Sequence, residues 1–357
     1  MRCRIRGRGA GENPPNRFEA LAREPFDDGF GTLDVVAAES VPPATEVLLD
    51  RSRTVLARNE SPDIPFDRSV NPYRGCEHGC IYCYARPTHN WLGFSSGLDF
   101  ETKILVKPEA AELLRHELAR PGYRCAPIAL GTNTDPYQPL ERRLRVTRSI
   151  LELLAACRHP VGIVTKSAGV LRDLDLLVPM ARDGLASVFL SITTLDAALA
   201  RRLEPRAAAP HRRLEAIRAL ASAGVPTGVM VAPVIPALTD HELERILEAA
   251  AEAGAERAGW ILLRLPHDVK DLFDAWLLRH VPARRERVLA RIRECRAGRL
   301  NDPAFGSRLR GTGVWAQLLD QRFAKACARL GLNRRTFPAR TDLFRPPSES
   351  RQLDLFG

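Results

Sequence analysis

With 357 residues and 45% hydrophobic content, the chain can bury a sizeable core in one large α/β domain with appendages, which excludes a small stapled module. The opening MRCRIRGRGAGENPP is charged and Gly/Pro-rich without an apolar stretch, and no apolar run approaches membrane-spanning length; a secretory leader and a membrane span are excluded and the cytoplasm is expected. The net charge of +10 permits contact with polyanions, but only five of the 53 basic residues are lysines, a bias towards Arg that weakens charge as evidence for nucleic-acid binding.

Residues 1–65 lack sustained periodicity and are punctuated by Pro14, Pro15, Pro42 and Pro43, so they read as an N-terminal extension, a wrapping arm with a short hairpin. From Phe66 a new cadence begins: a short run rich in β-branched residues, a polar turn, then an amphipathic helix. The first strand is expected at 68–72 and is followed at once by RGCEHGCIYCYA, with Cys76, Cys80 and Cys83 in a C-x3-C-x2-C spacing. Three thiolates on one short loop can hold three irons of a four-iron cluster and leave the fourth iron open to a small molecule. The alternative is a structural zinc completed by His78 or His89, although zinc sites usually come as two separated ligand pairs. Disulfides are excluded by the expected compartment. Cys3, Cys125, Cys157, Cys295 and Cys327 are scattered, which argues against a second cluster.

Further strands are expected at 127–131, 161–165, 186–192, 226–232 and 259–264, with helices at 108–120, 139–157, 168–183, 210–223 and 239–253. This alternation means parallel strands with right-handed crossovers. Six such units make a partial (β/α)6, TIM-like barrel over residues 66–266. In that architecture chemistry belongs at the carboxyl ends of the strands. Those ends are polar: Thr132, Asn133, Thr134 and Asp135 follow the second strand, Lys166 the third, Ser191 lies on the fourth, and Arg264 ends the sixth. Glu204 and Arg206, on the connection after the fourth strand, are expected to pair with each other. Residues 267–340 read as a helical, Arg-rich region that caps the open side of the barrel. Residues 341–357 are Pro/Ser-rich and read as a disordered tail.

Taken together, RGRGAGENPPNRFE, SPDIPFDRSVNPYRGCEHGCIYCYARPTH, GLDFETKILVK and GTNTDPYQPLE resemble the radical S-adenosylmethionine (SAM) superfamily, in a bacterial subgroup of unassigned reaction near the spore photoproduct lyases. The resemblance implies a [4Fe-4S] cluster on Cys76, Cys80 and Cys83, one-electron reduction of bound SAM by an external reductant, and a 5′-deoxyadenosyl radical acting on a substrate such as a nucleic acid. It also implies SAM contacts from Tyr82, Thr132, Thr134, Asp135, Lys166 and Ser191. Where those lyases carry a hydrogen-donor cysteine, this chain has Thr132, a far poorer donor; Cys125 precedes the strand and belongs at the opposite end of the barrel. Lastly Gln352, Leu353, Asp354, Leu355 and Phe356 resemble the pentapeptide by which bacterial repair proteins dock on the DNA sliding clamp. The rival to an enzyme is a non-catalytic, zinc- or Fe–S-bound adaptor docked on that clamp.

Overall fold

The alternating pattern folds as read. The computed structural model describes residues 7–19, 44–336 and 339–347, so the Gln352–Phe356 motif lies outside the described residues. The strands are β1 (Glu46–Leu49), β2 (Leu56–Arg58), β3 (Arg68–Val70), β4 (Tyr73–Arg74), β5 (Lys103–Val106), β6 (Ile128–Leu130), β7 (Val161–Thr165), β8 (Ala186–Ser191), β9 (Thr227–Val234) and β10 (Arg257–Leu262). The main sheet runs β10-β9-β8-β7-β6-β3-β2, with six strands parallel and in chain order and β2 antiparallel to β3 at one edge. This is the open (β/α)6 barrel. One face of its strands is sealed in the core: Val70, Ile128, Leu130, Ile163, Val188, Leu190 and Val229 have no exposed surface, while Val164, Ser187 and Phe189 on the alternate positions are half-buried.

Around the sheet stand α1 (Ala110–Leu118), α2 (Val146–Ala156), α3 (Leu174–Arg182), α4 (Pro210–Ser222), α5 (Leu243–Glu252), α6 (Val269–His280), α7 (Arg285–Glu294) and α8 (Gly313–Leu330). Helices α3, α4 and α5 pack on β8 and β9, α4 through Ala216, Ile217 and Leu220. The helix expected over 139–157 is broken: Arg145 adopts a left-handed φ of 54°, and the buried Glu141 carboxylate accepts the Thr147 N–H at 3.1 Å at the start of α2. A short unexpected helix, Ala197–Leu203, begins where the Asp196 carboxylate accepts the N–H groups of Ala198 and Leu199 at 2.8 and 3.1 Å.

Three features of the appendages differ from expectation. Among the described residues the extension makes no hairpin of its own; β2 pairs with barrel strand β3, and β1 joins a separate sheet of order β1-β5-β4. The open seam between the edge strands β2 and β10 is bridged by a loop rather than by a helix. Arg308 binds Asp63 and Ser61, and the Gly306 N–H donates to Asp63 at 2.7 Å. Helix α8 instead lies against α5, where Arg322 pairs with Glu244 at 2.6 Å. Residues 341–347, expected in a disordered tail, are bound: Phe344 packs on Tyr123 and His159 with ring centroids 5.4 and 5.2 Å apart, and the Arg345 N–H donates to the Cys157 carbonyl at 2.9 Å.

Candidate active site

The cysteine loop follows β3 and β4 at the carboxyl end of the barrel. Its tight path needs two glycines with positive φ, Gly75 at 85° and Gly79 at 66°. A side chain on Gly75 would come within 3.0 Å of the Phe100 carbonyl, and one on Gly79 within 2.7 Å of Glu101. Below the loop, Arg86 is fully buried. It donates to the Cys80 carbonyl at 2.9 Å, to the Ser96 and Gly97 carbonyls, and to Glu101 at 2.5 Å. The other face of that carboxylate accepts the Gly9 and Ala10 N–H groups at 2.9 and 2.8 Å, so the N-terminal RGRGAG segment is strapped onto the loop.

The three thiols lie within electrostatic reach of one another, and burial is the largest influence raising each above its ordinary value. Protein amides also point at them: the Asp135 N–H reaches Cys76, and the Ala85 and Arg86 N–H groups reach Cys83. Such donors support sulfur that carries negative charge, as cluster thiolates do. Among the described residues, no three His, Cys, Asp or Glu side chains close on a single point, the arrangement one zinc ion needs. The donor set fits a cluster in which each cysteine holds a different iron.

Tyr82 and Asp135 organise the surroundings. Tyr82 is buried, its hydroxyl bound to Glu204 and lying 3.1 Å from the Thr193 hydroxyl. Burial alone would raise Glu204, but Arg213 and Lys166, with hydrogen bonds from Arg213 and Tyr82, hold it at about 2. The pair is Glu204 with Arg213, both 1% exposed, and Arg206 reaches Glu77 at 3.1 Å; the expected Glu204–Arg206 pair is thus corrected, since Glu204 is turned into the interior while Arg206 stays partly exposed. Asp135 accepts the Thr165 hydroxyl and the Lys166 N–H, both at 2.7 Å, the Tyr137 N–H at 2.9 Å, and has His78 at 3.3 Å. Burial opposes its ionisation, yet His78 and these donors hold it at about 2.

These contacts sort the residues expected to touch SAM. Both Asp135 oxygens are engaged in joining the cysteine loop to the ends of β6 and β7, and the Thr134 hydroxyl donates to the Tyr73 carbonyl at 2.9 Å. These bonds fix the position of both residues at the strand ends. Lys166, Ser191 and Thr132 remain available. Lys166 Nζ stands 5.9 Å from the Tyr82 ring centroid with no ion pair among the described residues. Ser191 is buried on β8, where its carbonyl accepts from Arg213 at 2.8 Å and its hydroxyl makes no hydrogen bond among the described residues. Cys125 lies beside Arg68, at the start of β3, on the far end of the barrel as expected.

Sequence reasoning missed Tyr84. Its hydroxyl binds the Thr132 carbonyl, and Arg264, after β10, lies 5.5 Å from its ring centroid. Tyr84 is 46% exposed, and surrounding protein pushes its hydroxyl up to about 12. Its position directly after the last cysteine was the available signal. A separate cavity of about 350 Å³ lies behind the loop, lined by His78, Ser167, Arg142, Arg206 and Arg212, and includes none of the cysteines.

The family model described as the Radical SAM superfamily matches residues 70–250. An uncharacterized protein of Mycobacterium tuberculosis is 38% identical over 296 residues, covering 80% of this chain and 86% of that protein. An uncharacterized protein of Methanocaldococcus jannaschii is 29% identical over 173 residues, 48% of this chain and 62% of that one. Among solved structures, spore photoproduct lyase complexed with dinucleoside spore photoproduct superposes with a TM-score of 0.58 at 16% identity over 80% of each chain. A mutant of that lyase with bound AdoMet and dinucleoside spore photoproduct gives 0.56 at 17%, also over 80% of each. At such identities the likeness is one of fold.

Proposed function

Because the chain belongs to the radical SAM superfamily, whose cofactors are a [4Fe-4S] cluster and SAM, we propose that it reductively cleaves SAM and turns the resulting 5′-deoxyadenosyl radical on a nucleic-acid substrate, in a reaction akin to DNA repair. When bound, the two cofactors supply a one-electron break of the sulfonium C–S bond, with the electron coming from an external reductant. The chain's own residues do the rest. Cys76, Cys80 and Cys83 would hold three irons, with the Asp135, Ala85 and Arg86 amides steadying the sulfurs. Lys166 would balance the SAM carboxylate, Ser191 would bond the ribose, and Tyr82 would pack beside the adenine. Thr132, whose carbonyl accepts the Tyr84 hydroxyl, would contact SAM from the end of β6.

The observation that carries this reading is the convergence of three thiols, two of them supported by backbone amides, with a lysine that has no ion pair among the described residues, at the carboxyl end of a parallel barrel. Support for the nucleic-acid class is the lyase of like fold, whose structure holds a dinucleoside photoproduct. Anaerobic reconstitution should load about four irons per chain, and reduction with SAM should yield 5′-deoxyadenosine. Cys83→Ala should lose both. Zinc in place of iron, or iron loading with no 5′-deoxyadenosine, would defeat the proposal and favour the adaptor.

We further propose that the Gln352–Phe356 segment docks the enzyme on the sliding clamp, an extended tail seating two apolar side chains while Gln fixes the register. Deleting Gln352 to Gly357 should abolish binding to purified clamp. Binding that survives the deletion removes this partner mode.

A further inference from the structure

The mouth carries a cation that has no ion pair among the described residues. Arg264 follows β10 and so belongs to the carboxyl end of the barrel, where its guanidinium lies over Tyr84, the neighbour of cluster ligand Cys83. The side chain is half-buried. Its Nε is shut off from solvent without a hydrogen-bond partner, and it has no ion pair among the described residues. Buried arginines are ordinarily paired, since an uncompensated guanidinium in protein surroundings is costly.

The wall around Arg264 adds positive charge. Burial first, and the nearby Arg308 guanidinium second, press the Arg264 group below its ordinary value. Arg308 is held by Asp63 at the seam, and Asp302 is engaged by the Ser307 hydroxyl at 2.5 Å and the Ala304 N–H at 2.9 Å. The carboxylates in reach of Arg264 are therefore already committed. A third arginine fixes the arrangement: Arg296, 1% exposed, donates to the Leu262 and Leu263 carbonyls at 3.2 and 2.7 Å and to the Ser307 and Arg308 carbonyls at 3.2 and 2.7 Å. It thereby locks the backbone leading into Arg264 to the backbone carrying Arg308, and two cations are held side by side with one left open.

We infer that Arg264, backed by Arg308, binds a phosphodiester group of the substrate and so sets the substrate's position against the Cys83 side of the mouth. A planar guanidinium matches phosphate oxygens bidentately, and the tetrahedral group can face two guanidiniums at once, which a flat carboxylate does less well. Tyr84, fixed by its bond to Thr132 and open to solvent, supplies an adjoining aromatic surface of the kind on which single-stranded bases stack. The inference rests on the proposed radical chemistry for its substrate class and names the residue that reads that class.

The test uses the full chain, reconstituted anaerobically, and a fluorescein-labelled hexathymidylate followed by anisotropy at low salt, with inorganic phosphate as competitor. Iron content is measured in every sample. Arg264→Gln should weaken hexathymidylate binding about tenfold or more and flatten its salt dependence by about one counterion, while Arg264→Lys recovers part of the loss. Arg142→Gln, in the separate arginine-lined cavity, should bind as the unaltered protein does. The inference is overturned if Arg264→Gln binds within twofold of the unaltered protein, or if Arg142→Gln loses as much, which would mean diffuse basic attraction. Competition by inorganic phosphate at concentrations matching the nucleotide's phosphates would point to a free-phosphate site and overturn it equally. A chain that takes up no iron defeats the radical SAM reading itself; iron-loaded protein indifferent to Arg264 defeats this inference alone.

Discussion

At the carboxyl end of the strands the cysteine loop rests on buried charge, Arg86 against Glu101, with the N-terminal strap hydrogen-bonded to the same carboxylate. At the amino end the barrel is finished by rings, with Phe344 from the C-terminal segment packed on Tyr123 and His159. Ring packing tolerates small displacements. A fully buried ion pair does not, because each charge has given up its hydration for one geometry, and a well-packed apolar pair of similar volume often stabilises as much. The charged design is thus placed where loop position matters, beneath Cys76, Cys80 and Cys83, and the tolerant one where it does not.

The contrast breaks most visibly at Glu101. Glu101→Gln leaves the Arg86 charge buried without its partner and weakens the anchorage of Gly9 and Ala10, with a cost of about 3–5 kcal/mol in stability. Limited proteolysis should then cut near Arg8 and the reconstituted protein should lose iron faster. Phe344→Ala, at the other end, removes a half-buried ring and should cost about 1 kcal/mol, with iron retention unchanged. Equal iron loss from the two variants would show that the ends are not functionally distinct.

The same contrast explains what could be read from the sequence. Strands and helices of the barrel follow from periodicity, which burial of one face of each element enforces, and the three cysteines follow from spacing. What stayed hidden depends on pairings between residues far apart in the chain. Asp135 reads in the sequence as a polar strand-end residue, and only folding shows it joining His78, Thr165 and Lys166. Glu204 takes Arg213 over the nearer Arg206, because α4 brings Arg213 back beneath β8. The role of the RGRGAG segment was equally invisible: Gly9 packs against the Gly79 carbonyl, a contact in which any side chain would clash. Arg264 was legible as a strand-end residue, but its lack of a partner belongs to the packed structure.

A finer comparison is available because each end buries one neutral histidine. His89, beneath the cysteine loop, has Nε2 2.9 Å from the Lys103 carbonyl, and burial holds it at about 4. His159, in the ring cluster, has Nδ1 3.0 Å from the Pro160 carbonyl and Nε2 2.8 Å from the Tyr123 hydroxyl, and burial again holds it at about 4. In the unfolded chain each titrates near the ordinary 6.5. Above that pH both states are neutral at these positions and the full stability is present. As pH falls from 6.5 towards 4, the unfolded chain gains protons that the folded chain refuses, so stability drops, by about 2 kcal/mol per histidine at pH 5. Asp135 and Glu204, held at about 2, contribute only below the ordinary carboxylate range and leave this window clear. Urea unfolding at pH 7 and pH 5 should therefore show a loss that His89→Gln and His159→Gln each reduce by about half, since glutamine can keep the donor in the first case and the donor and acceptor in the second. If neither substitution changes the pH 7 to pH 5 difference, the two imidazoles are not held neutral. If only His89→Gln does, acid sensitivity belongs to the charged end alone, and the ring-packed end is more yielding than its burial implies.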